Sequence, residues 1–158
     1  MKKLIPIFLA LLLILSISSC KSGYINQSTE SRNQAVEILR CLDEEDVEGL
    51  KSMFCERVAS THDLDEEITA AMEFYQGKST SFPDLSIGGG YWTVDGEYED
   101  NHLSYSMRDI STDANMQYDI YTHSYLIYKE DPTCVGMTYL TIIDTETDAR
   151  VELGEYVK

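Results

Sequence analysis

The apolar and polar positions divide the chain into three stretches with different patterns. Residues 4–17 form an uncharged apolar run, preceded by Lys2 and Lys3. From residue 31 to Gly77, apolar side chains recur at spacings of three and four, which is typical of amphipathic helices. Beyond Gly77, apolar and polar residues alternate, which is typical of half-buried strands. The order predicts helices first and a sheet second.

The first apolar run ends in the residues Ile17 to Cys20, two of which are small serines. A positive start, an apolar segment and small residues before a cleavage site define a secretory signal peptide. The ending resembles the lipobox of bacterial lipoproteins, with an aliphatic residue, two small residues and then cysteine. The resemblance implies cleavage after Ser19 and a diacylglyceryl group on Cys20, whose two acyl chains anchor the protein at the extracytoplasmic face of the cell membrane. A retained membrane helix and an ordinary cleaved signal are the alternatives.

Three helices are predicted between the signal segment and Gly77. The first has Ser31 as its N-cap and ends at 43–45, and the second is short and opens at Asp46. The third has Asp63 as its N-cap and stops before Gly77, a residue suited to helix C-termini. Their main inward apolar positions are Ala35, Ile38, Leu39, Leu42, Leu50, Phe54, Leu64, Ile68 and Met72.

Strands with turn signals between them follow the helices. The strands are predicted over 85–94, around 103–107, and over 116–128, 135–143 and 151–157. Helices that precede a run of strands argue for an α+β fold, with the three helices packed on a curved, mostly antiparallel sheet of four to six strands. We therefore expect a signal peptide over 1–19, a lipidated flexible tether over 20–31 and a single domain over 32–158.

The chain is strongly acidic, with 28 Asp and Glu against 12 Lys and Arg and a formal net charge of −16. Phosphate binding needs clustered Lys and Arg, so nucleic acid is not expected as a partner. We expect the charge to keep the domain soluble at the cell surface, and an acidic docking face is the alternative. The acidic clusters at 43–46 and 63–67 lack the spacing of a calcium loop, and helix capping explains them. No metal or other cofactor is expected.

Lipidation of Cys20 would leave three of the four cysteines, an odd number. At most one disulfide can then form within the chain. Cys41 and Cys55 lie in helical patterns, where burial as small hydrophobic residues is expected, and a disulfide between them is the alternative. We find no feature beside these two residues or Cys134 that would lower a thiol pKa and make it a nucleophile.

Residues 33–157 resemble a family of lipoproteins from Gram-positive bacteria that carries a nuclear-transport-factor-2-like, or cystatin-like, α+β cone. Three stretches carry the resemblance: Gly88 to Trp92, Ile110 to Asn115, and Asp131 to Gly136. The resemblance implies a pocket between the sheet and the helices. It transfers no catalytic residue, because no activity is established for that family.

The candidate catalytic residues lie on the third predicted strand. Tyr121, His123 and Tyr125 share one face, because side chains alternate along a strand. His123, helped by Asp119 or Tyr121, is the candidate for proton transfer. Polar residues on the neighbouring strand are His102, Tyr105 and Asp109. The alternative is that these side chains only pave the sheet, with their hydroxyl groups at its rim.

The candidate ligand-binding residues are ring-bearing side chains of the sheet: Trp92, Tyr105, Tyr121, His123 and Tyr125. Trp92 is the only tryptophan, and it is suited to stack on a sugar or another ring. It follows Gly88, Gly89 and Gly90, so the alternative is that these glycines let a strand bend around a buried Trp92.

Three functional hypotheses follow. The first is a lipid-anchored cell-surface domain, without catalytic activity, that binds a small molecule or a protein partner. The second is an enzyme of the same fold, of the isomerase, dehydratase or hydrolase type, that uses His123 with an aspartate or tyrosine. The third is a structural homodimer, in which a second copy covers the open face of the sheet.

Overall fold

The computed structural model describes residues 25–157. The predicted signal peptide, Cys20 and the beginning of the tether lie outside the described residues. Within residues 25–157, helices precede a five-stranded antiparallel sheet, so the predicted α+β class is confirmed. None of the helices in this range has the length and apolar character needed to cross a membrane.

The described residues form four helices: α1 (Gln27–Glu44), α2 (Val47–Ser52), α3 (Glu56–Thr61) and α4 (Leu64–Phe74). Helix α1 begins earlier than predicted, because Asn26 is its N-cap and accepts a hydrogen bond from the Thr29 N–H at 3.2 Å. Residues 27–31, predicted as tether, are therefore helical. Ser31, the predicted N-cap, is a buried residue inside α1.

Helices α2 and α4 begin where the sequence predicted. Asp46 accepts a hydrogen bond from the Gly49 N–H at 2.9 Å, and Asp63 accepts one from the Glu66 N–H at 3.2 Å. The predicted number of three helices is wrong, because α3 lies between them. Its first residue follows Cys55, which makes no side-chain cap, and Val58 is its buried residue. Helix α3 thus lacks both an apolar stripe and a capping side chain in the sequence.

The sheet is a meander with the strand order β1 to β5, each strand antiparallel to the next. The strands are β1 (Asp84–Val94), β2 (Glu97–Ser111), β3 (Gln117–Tyr128), β4 (Gly136–Asp144) and β5 (Arg150–Gly154). They agree with the predicted strands to within a few residues, except that β2 runs longer. Strands β1 and β5 form the two edges.

The helices cover one face of the sheet, and strand β3 shows the alternation. Its even-numbered residues face the helices: the Ser124 hydroxyl donates to Gln34 Oε1 of α1 at 3.0 Å, and Ile120 is buried in the core. Its odd-numbered residues Tyr121 and His123 therefore lie on the opposite face. Other large core side chains of the sheet are Leu103, Met107, Tyr118, Leu140, Ile142 and Leu153.

The side chain of Gln27 holds the first turn of α1 against strands β1 and β2. Its amide nitrogen donates to the Gly90 carbonyl at 3.1 Å, to Asn101 Oδ1 at 2.9 Å and to the His102 carbonyl at 3.2 Å. A single side chain thus fixes where the chain enters the domain.

Three thiols among the described residues are free and buried, namely those of Cys41, Cys55 and Cys134. The structure therefore has no Cys41–Cys55 disulfide. Burial raises the pKa of Cys41 to about 11, so its thiol stays protonated at neutral pH. Cys41 and Cys55 are therefore buried like small hydrophobic residues, as the sequence predicts.

Tyr118 fastens the end of α4 to the sheet. Its hydroxyl donates to the Phe74 carbonyl and accepts from the Gln76 N–H, both at 3.0 Å. Its ring lies 4.8 Å from that of Tyr75, centroid to centroid. The tyrosine thereby satisfies a carbonyl that the helix C-terminus leaves unpaired and the N–H of the loop residue that follows the C-cap.

We expect Tyr118→Phe to lower the free energy of unfolding by about 1–3 kcal/mol, because the buried Tyr118 loses two part-buried hydrogen bonds, to the Phe74 carbonyl and from the Gln76 N–H. Urea unfolding measures the effect. Tyr139→Phe is the matched control: its hydroxyl bonds to the exposed Glu152 at 3.0 Å, and its loss should change stability by less than about 0.5 kcal/mol. Equal losses in the two variants would contradict the role given to Tyr118.

Candidate functional site

The face of the sheet opposite the helices, here called the outer face, carries aromatic and polar side chains in cross-strand rows. Strand pairing aligns three of these rows across β1 to β4 as Trp92–Asp100–Tyr128, Gly90–His102–Tyr125 and Gly88–Ser104–His123–Tyr139. Neighbouring rows place rings beside one another on the sheet surface. The outer face is therefore where most of the candidate residues meet.

Tyr128 belongs to the outer face because of a β-bulge in β3. Tyr125 and Ile127 pair with successive residues of β2, which leaves Leu126 as an extra residue. One extra residue reverses the inward and outward alternation beyond it. Tyr128, three positions after Tyr125, consequently lies on the same face.

The row Trp92–Asp100–Tyr128, at one end of the sheet, lines an open groove of about 720 Å³, here called the aromatic groove. Trp92 forms an exposed wall, with 66% of its surface accessible. The rings of Tyr125 and Tyr128 stack at 4.4 Å with an angle of 16° between their planes. The residues that line the groove are Trp92, Val94, Glu99, Asp100, Tyr125, Tyr128, Lys129 and Glu130.

The two stacked tyrosines are neutral at physiological pH. Burial raises the pKa of Tyr125 to about 12, and the nearby Asp100 carboxylate adds to the effect. Burial also raises the pKa of Tyr128, with Glu130 as the next contribution. Both rings therefore present uncharged aromatic surface to the groove.

Asp100 connects the groove to a pair of histidines. Its Oδ1 lies 2.9 Å from Nδ1 of His102, and the His102 ring stacks 5.8 Å from that of His123. The His102 ring covers Gly90, where an added Cβ would lie 3.2 Å from the ring Cε1. Gly90 thus leaves the space in which this ring sits.

His123 is enclosed, with only 2% of its surface accessible. Its Nδ1 lies 2.8 Å from the Thr138 hydroxyl, and the rings of Tyr156 and Tyr125 pack 4.4 and 5.0 Å from its own. Burial lowers its pKa to about 4, and the neighbouring His102 adds to this. His123 is therefore a neutral, covered imidazole at pH 7.

The C-terminal segment 155–157 provides this cover. The Glu155 N–H donates to the Thr138 carbonyl at 2.8 Å, and the Tyr125 hydroxyl donates to the Val157 carbonyl at 3.5 Å. Val157 also packs with Cys134 and Tyr125 in a small second hydrophobic cluster. Residues 155–157 therefore belong to the outer face.

The structure separates the five predicted ligand-binding residues. Trp92 and Tyr125 line the aromatic groove, and Tyr121 lines a second, smaller groove of about 300 Å³. Tyr105 also borders this smaller groove, but its side chain is buried in the core on the helix side, where its hydroxyl lies 3.4 Å from Gln34 Oε1. His123 lies between the two grooves beneath Tyr156.

The candidate catalytic residues His123, Asp119 and Tyr121 share one face but do not form a proton-transfer group. Asp119 Oδ1 accepts a hydrogen bond from the Asp109 N–H at 3.0 Å, where Asp109 has a φ of +57°. Asp119 is four positions before His123, about 13 Å away along β3. That is far beyond hydrogen-bond reach.

The exposure of Trp92 overturns its structural interpretation as a buried residue. The register shift of β1 lies between Trp92 and Thr93 rather than at the glycines. Gly89 has another role: its φ is +133°, and an added Cβ would lie 2.4 Å from the His102 carbonyl oxygen. The glycines allow close approach to β2.

Sequence reasoning missed Asp100, Tyr128 and Tyr156 as residues of the outer face. Period-two alternation assigns Tyr128 to the opposite face from Tyr125, because the bulge at Leu126 leaves no local signal. Tyr156 follows the last strand, so no periodicity places it. Asp100 would have been found from its position two residues before His102, which puts both on one face.

The acidic clusters of the helices have structural partners. Asp43 accepts hydrogen bonds from the Ser79 N–H and hydroxyl, and Asp65 pairs with Lys51 at 2.7 Å. Glu67 accepts from the Gly154 N–H at 2.8 Å. In the range 25–157, no group of three His, Cys, Asp or Glu side chains is arranged to hold a metal ion.

A family model identifies the family of this chain. Residues 37–145 match the model described as Domain of unknown function (DUF5104). The chain belongs to the DUF5104 family. The DUF5104 match runs from within α1 to the residue after β4, and it includes every residue that lines the aromatic groove. No curated protein matches the sequence.

The enclosure of His123 makes the stability of this DUF5104 domain depend on pH. The folded-state pKa of about 4 lies below the ordinary value of 6.5, so between these values the unfolded chain binds more protons. Acidification from about pH 6.5 to 4 therefore favours unfolding. The difference between these pKa values corresponds to a loss of at most about 3 kcal/mol.

We expect His123→Gln to remove the part of the pH dependence of stability that the lowered pKa of His123 causes. The free energy of unfolding, measured by urea between pH 7 and pH 4.5, should fall less steeply in the variant than in the parent chain. His62→Gln is the control, because His62 is half-buried and pairs with Glu67 on the helical side. If parent and His123→Gln curves run parallel, His123 is not the enclosed neutral group described above.

Proposed function

We propose that this protein is a lipid-anchored domain at the extracytoplasmic face of the cell membrane, which binds a small molecule in the aromatic groove. The observation that carries the proposal is the wall of Trp92 facing the stacked rings of Tyr125 and Tyr128. The groove volume of about 720 Å³ falls within the range usual for small-molecule sites.

The exposure of Trp92 supports a binding role. An indole with 66% of its surface in water gains apolar burial when a ligand covers it, and its ring face orients flat or cationic groups. The opposite wall is preformed, because Tyr128 stacks on Tyr125, and Tyr125 is buried. A ligand would therefore meet a rigid surface on one side and an accessible ring on the other.

The lipid anchor rests on the sequence around Cys20: the positive start, the apolar run and the lipobox-like ending Ile17 to Cys20. Two acyl chains on Cys20 give stable anchoring without any membrane-binding surface on the acidic domain.

We also propose that the fold is the nuclear-transport-factor-2-like cone. The order of helices before an antiparallel meander supports this assignment. The cone would ordinarily hold its pocket between the sheet and the helices. In this chain Tyr105, Ile120 and Leu140 pack into the core on that side, and the aromatic groove lies on the outer face.

An enzyme of this fold has weaker support. A general base must reach the proton that it removes. His123 is covered by Tyr156, and Asp119 holds the backbone of Asp109 instead of orienting the imidazole.

A structural homodimer is supported by the edge strand β1. Its exposed apolar side chains include Ile87, Tyr91 and Val94, and a second copy would pair its own β1 with this edge. We rank it second, because β1 also supplies the wall of the aromatic groove.

Cys20→Ala should abolish lipid anchoring, because the alanine side chain offers no thiol for the diacylglyceryl group. Metabolic labelling with a fatty acid should mark the parent chain and not the variant, and the variant should leave the membrane fraction or stay as an uncleaved precursor. Cys41→Ala serves as the matched control and should label normally. A processed, membrane-held Cys20→Ala protein would refute the anchor.

A screen of small molecules against the full-length chain should find compounds that raise the melting temperature and shift the fluorescence of Trp92, the single tryptophan. Replacing Trp92 or Tyr128 with leucine should weaken their binding by at least about tenfold, or about 1.4 kcal/mol, as calorimetry would show.

The control for these variants is Tyr91→Leu. Tyr91 is also an exposed aromatic residue of β1, at 64% accessibility, but it does not line the groove. Compounds that bind all three variants as tightly as the parent would place the site elsewhere and refute the groove.

A further inference from the structure

The aromatic groove is negative on balance. Three carboxylates line it, those of Glu99, Asp100 and Glu130, against the single ammonium group of Lys129. That ammonium is already neutralised: Lys129 Nζ lies 2.8 Å from Glu99 Oε1 and 3.3 Å from Glu97 Oε2. A positive ligand would therefore be attracted, whereas an anion would meet like charge.

The aromatic walls favour the same sign of charge. The faces of Trp92 and Tyr128 carry the negative part of the ring quadrupole, which attracts a cation placed over them. The Tyr125 ring lies behind Tyr128 as its stacking partner. Both tyrosines are neutral phenols, as their raised pKa values show. Rings and carboxylates thus reinforce each other within one groove.

The hydrogen-bonding groups of the groove are mainly acceptors. Carboxylates accept and do not donate. Most side-chain donors of the lining are engaged: Lys129 contacts Glu99, and the Tyr128 hydroxyl donates to Glu130 Oε2 at 3.4 Å. The Trp92 indole N–H is the other donor of the lining that a ligand could meet. A ligand that donates hydrogen bonds and does not need to accept them matches a groove lined mainly by acceptors. An alkylammonium group has that property, whereas a sugar hydroxyl both donates and accepts.

We propose that the aromatic groove binds an organic cation, an ammonium group attached to an apolar or aromatic body. This inference rests on the proposed function, because it names the ligand class of the same groove. The ammonium group lies between the ring faces and the carboxylates of Asp100 and Glu130, and the body packs on Trp92.

Three compounds of one shape and different charge test the ligand class: benzylamine, benzyl alcohol and benzoate. The full-length chain in a non-ionic detergent is titrated with each, and Trp92 emission reports binding. We expect benzylamine to bind at least about tenfold more tightly than benzyl alcohol, equivalent to about 1.4 kcal/mol. Benzoate should bind weakest.

The double variant Asp100→Asn with Glu130→Gln should lose most of the preference for benzylamine over benzyl alcohol. Glu130→Gln alone, at an exposed position, is the second variant in case the change at Asp100 disturbs folding, and it should lower the preference in part. The control is Glu146→Gln with Asp148→Asn. It removes two exposed charges from the turn after β4, at the other end of the sheet, and should keep the preference.

Benzyl alcohol binding as tightly as benzylamine would overturn the cation while leaving a small-molecule groove in place. A preference that survives the Asp100 and Glu130 changes would also overturn it, because the cation would then bind elsewhere. If none of the three compounds binds, the cation class is wrong. The proposed function would then fail only if the wider screen were also empty.

Discussion

The alternation of side chains along strand β3 determines what each face of the sheet holds. Ile120 and Ser124 point towards the helices, and Tyr121 and His123 point away. All four described helices precede the meander, and Ile120 and Ser124 show that they pack on one face of the sheet. The other face is covered only in part, by residues 155–157. The same alternation therefore produces both the buried core and the aromatic groove. A shift of the strand register by one residue would turn the core side chains outward and the groove side chains inward.

A β-bulge in β3 changes the alternation of side chains at the end of the sheet. The extra residue Leu126 turns Tyr128 onto the face of Tyr125, and the stacked pair becomes one wall of the groove. Bulges often occur beside functional sites, where they redirect a side chain. The groove lies where regular pairing breaks down, between the β1–β2 hairpin and the turn after β3.

Helices and strands could be predicted where the sequence has a periodic apolar pattern or a residue that is typical of helix N-caps. Asp46 and Asp63 cap helices because their carboxylates accept backbone N–H groups three residues on, and β3 was found from its alternation. Helix α3 has neither signal. The sequence predicts the start of α1 at Ser31 instead of Asn26, because both residue types cap helices and only the packing of Gln27 favours the earlier start.

The candidate site could be predicted only in part, for reasons that lie in tertiary structure. Alternation placed Tyr121, His123 and Tyr125 on one face, and the structure agrees. Alternation does not predict that Tyr156 packs over His123, because Tyr156 lies in the segment after β5 and reaches β3 only in the folded structure. Trp92 could be read as buried or exposed, and only the pairing of β1 with β2 decides between them.

The contact of Gln27 with β1 and β2 has a consequence for orientation. Gln27 binds at the level of Gly90 and His102, one row from the row that lines the aromatic groove. Gln27 is seven positions after Cys20 in the sequence, a reach of about 25 Å at most. If Cys20 carries the lipid, Gln27 stays within that distance of the anchored cysteine, and the end of the sheet with the groove stays near the membrane surface instead of in bulk solvent.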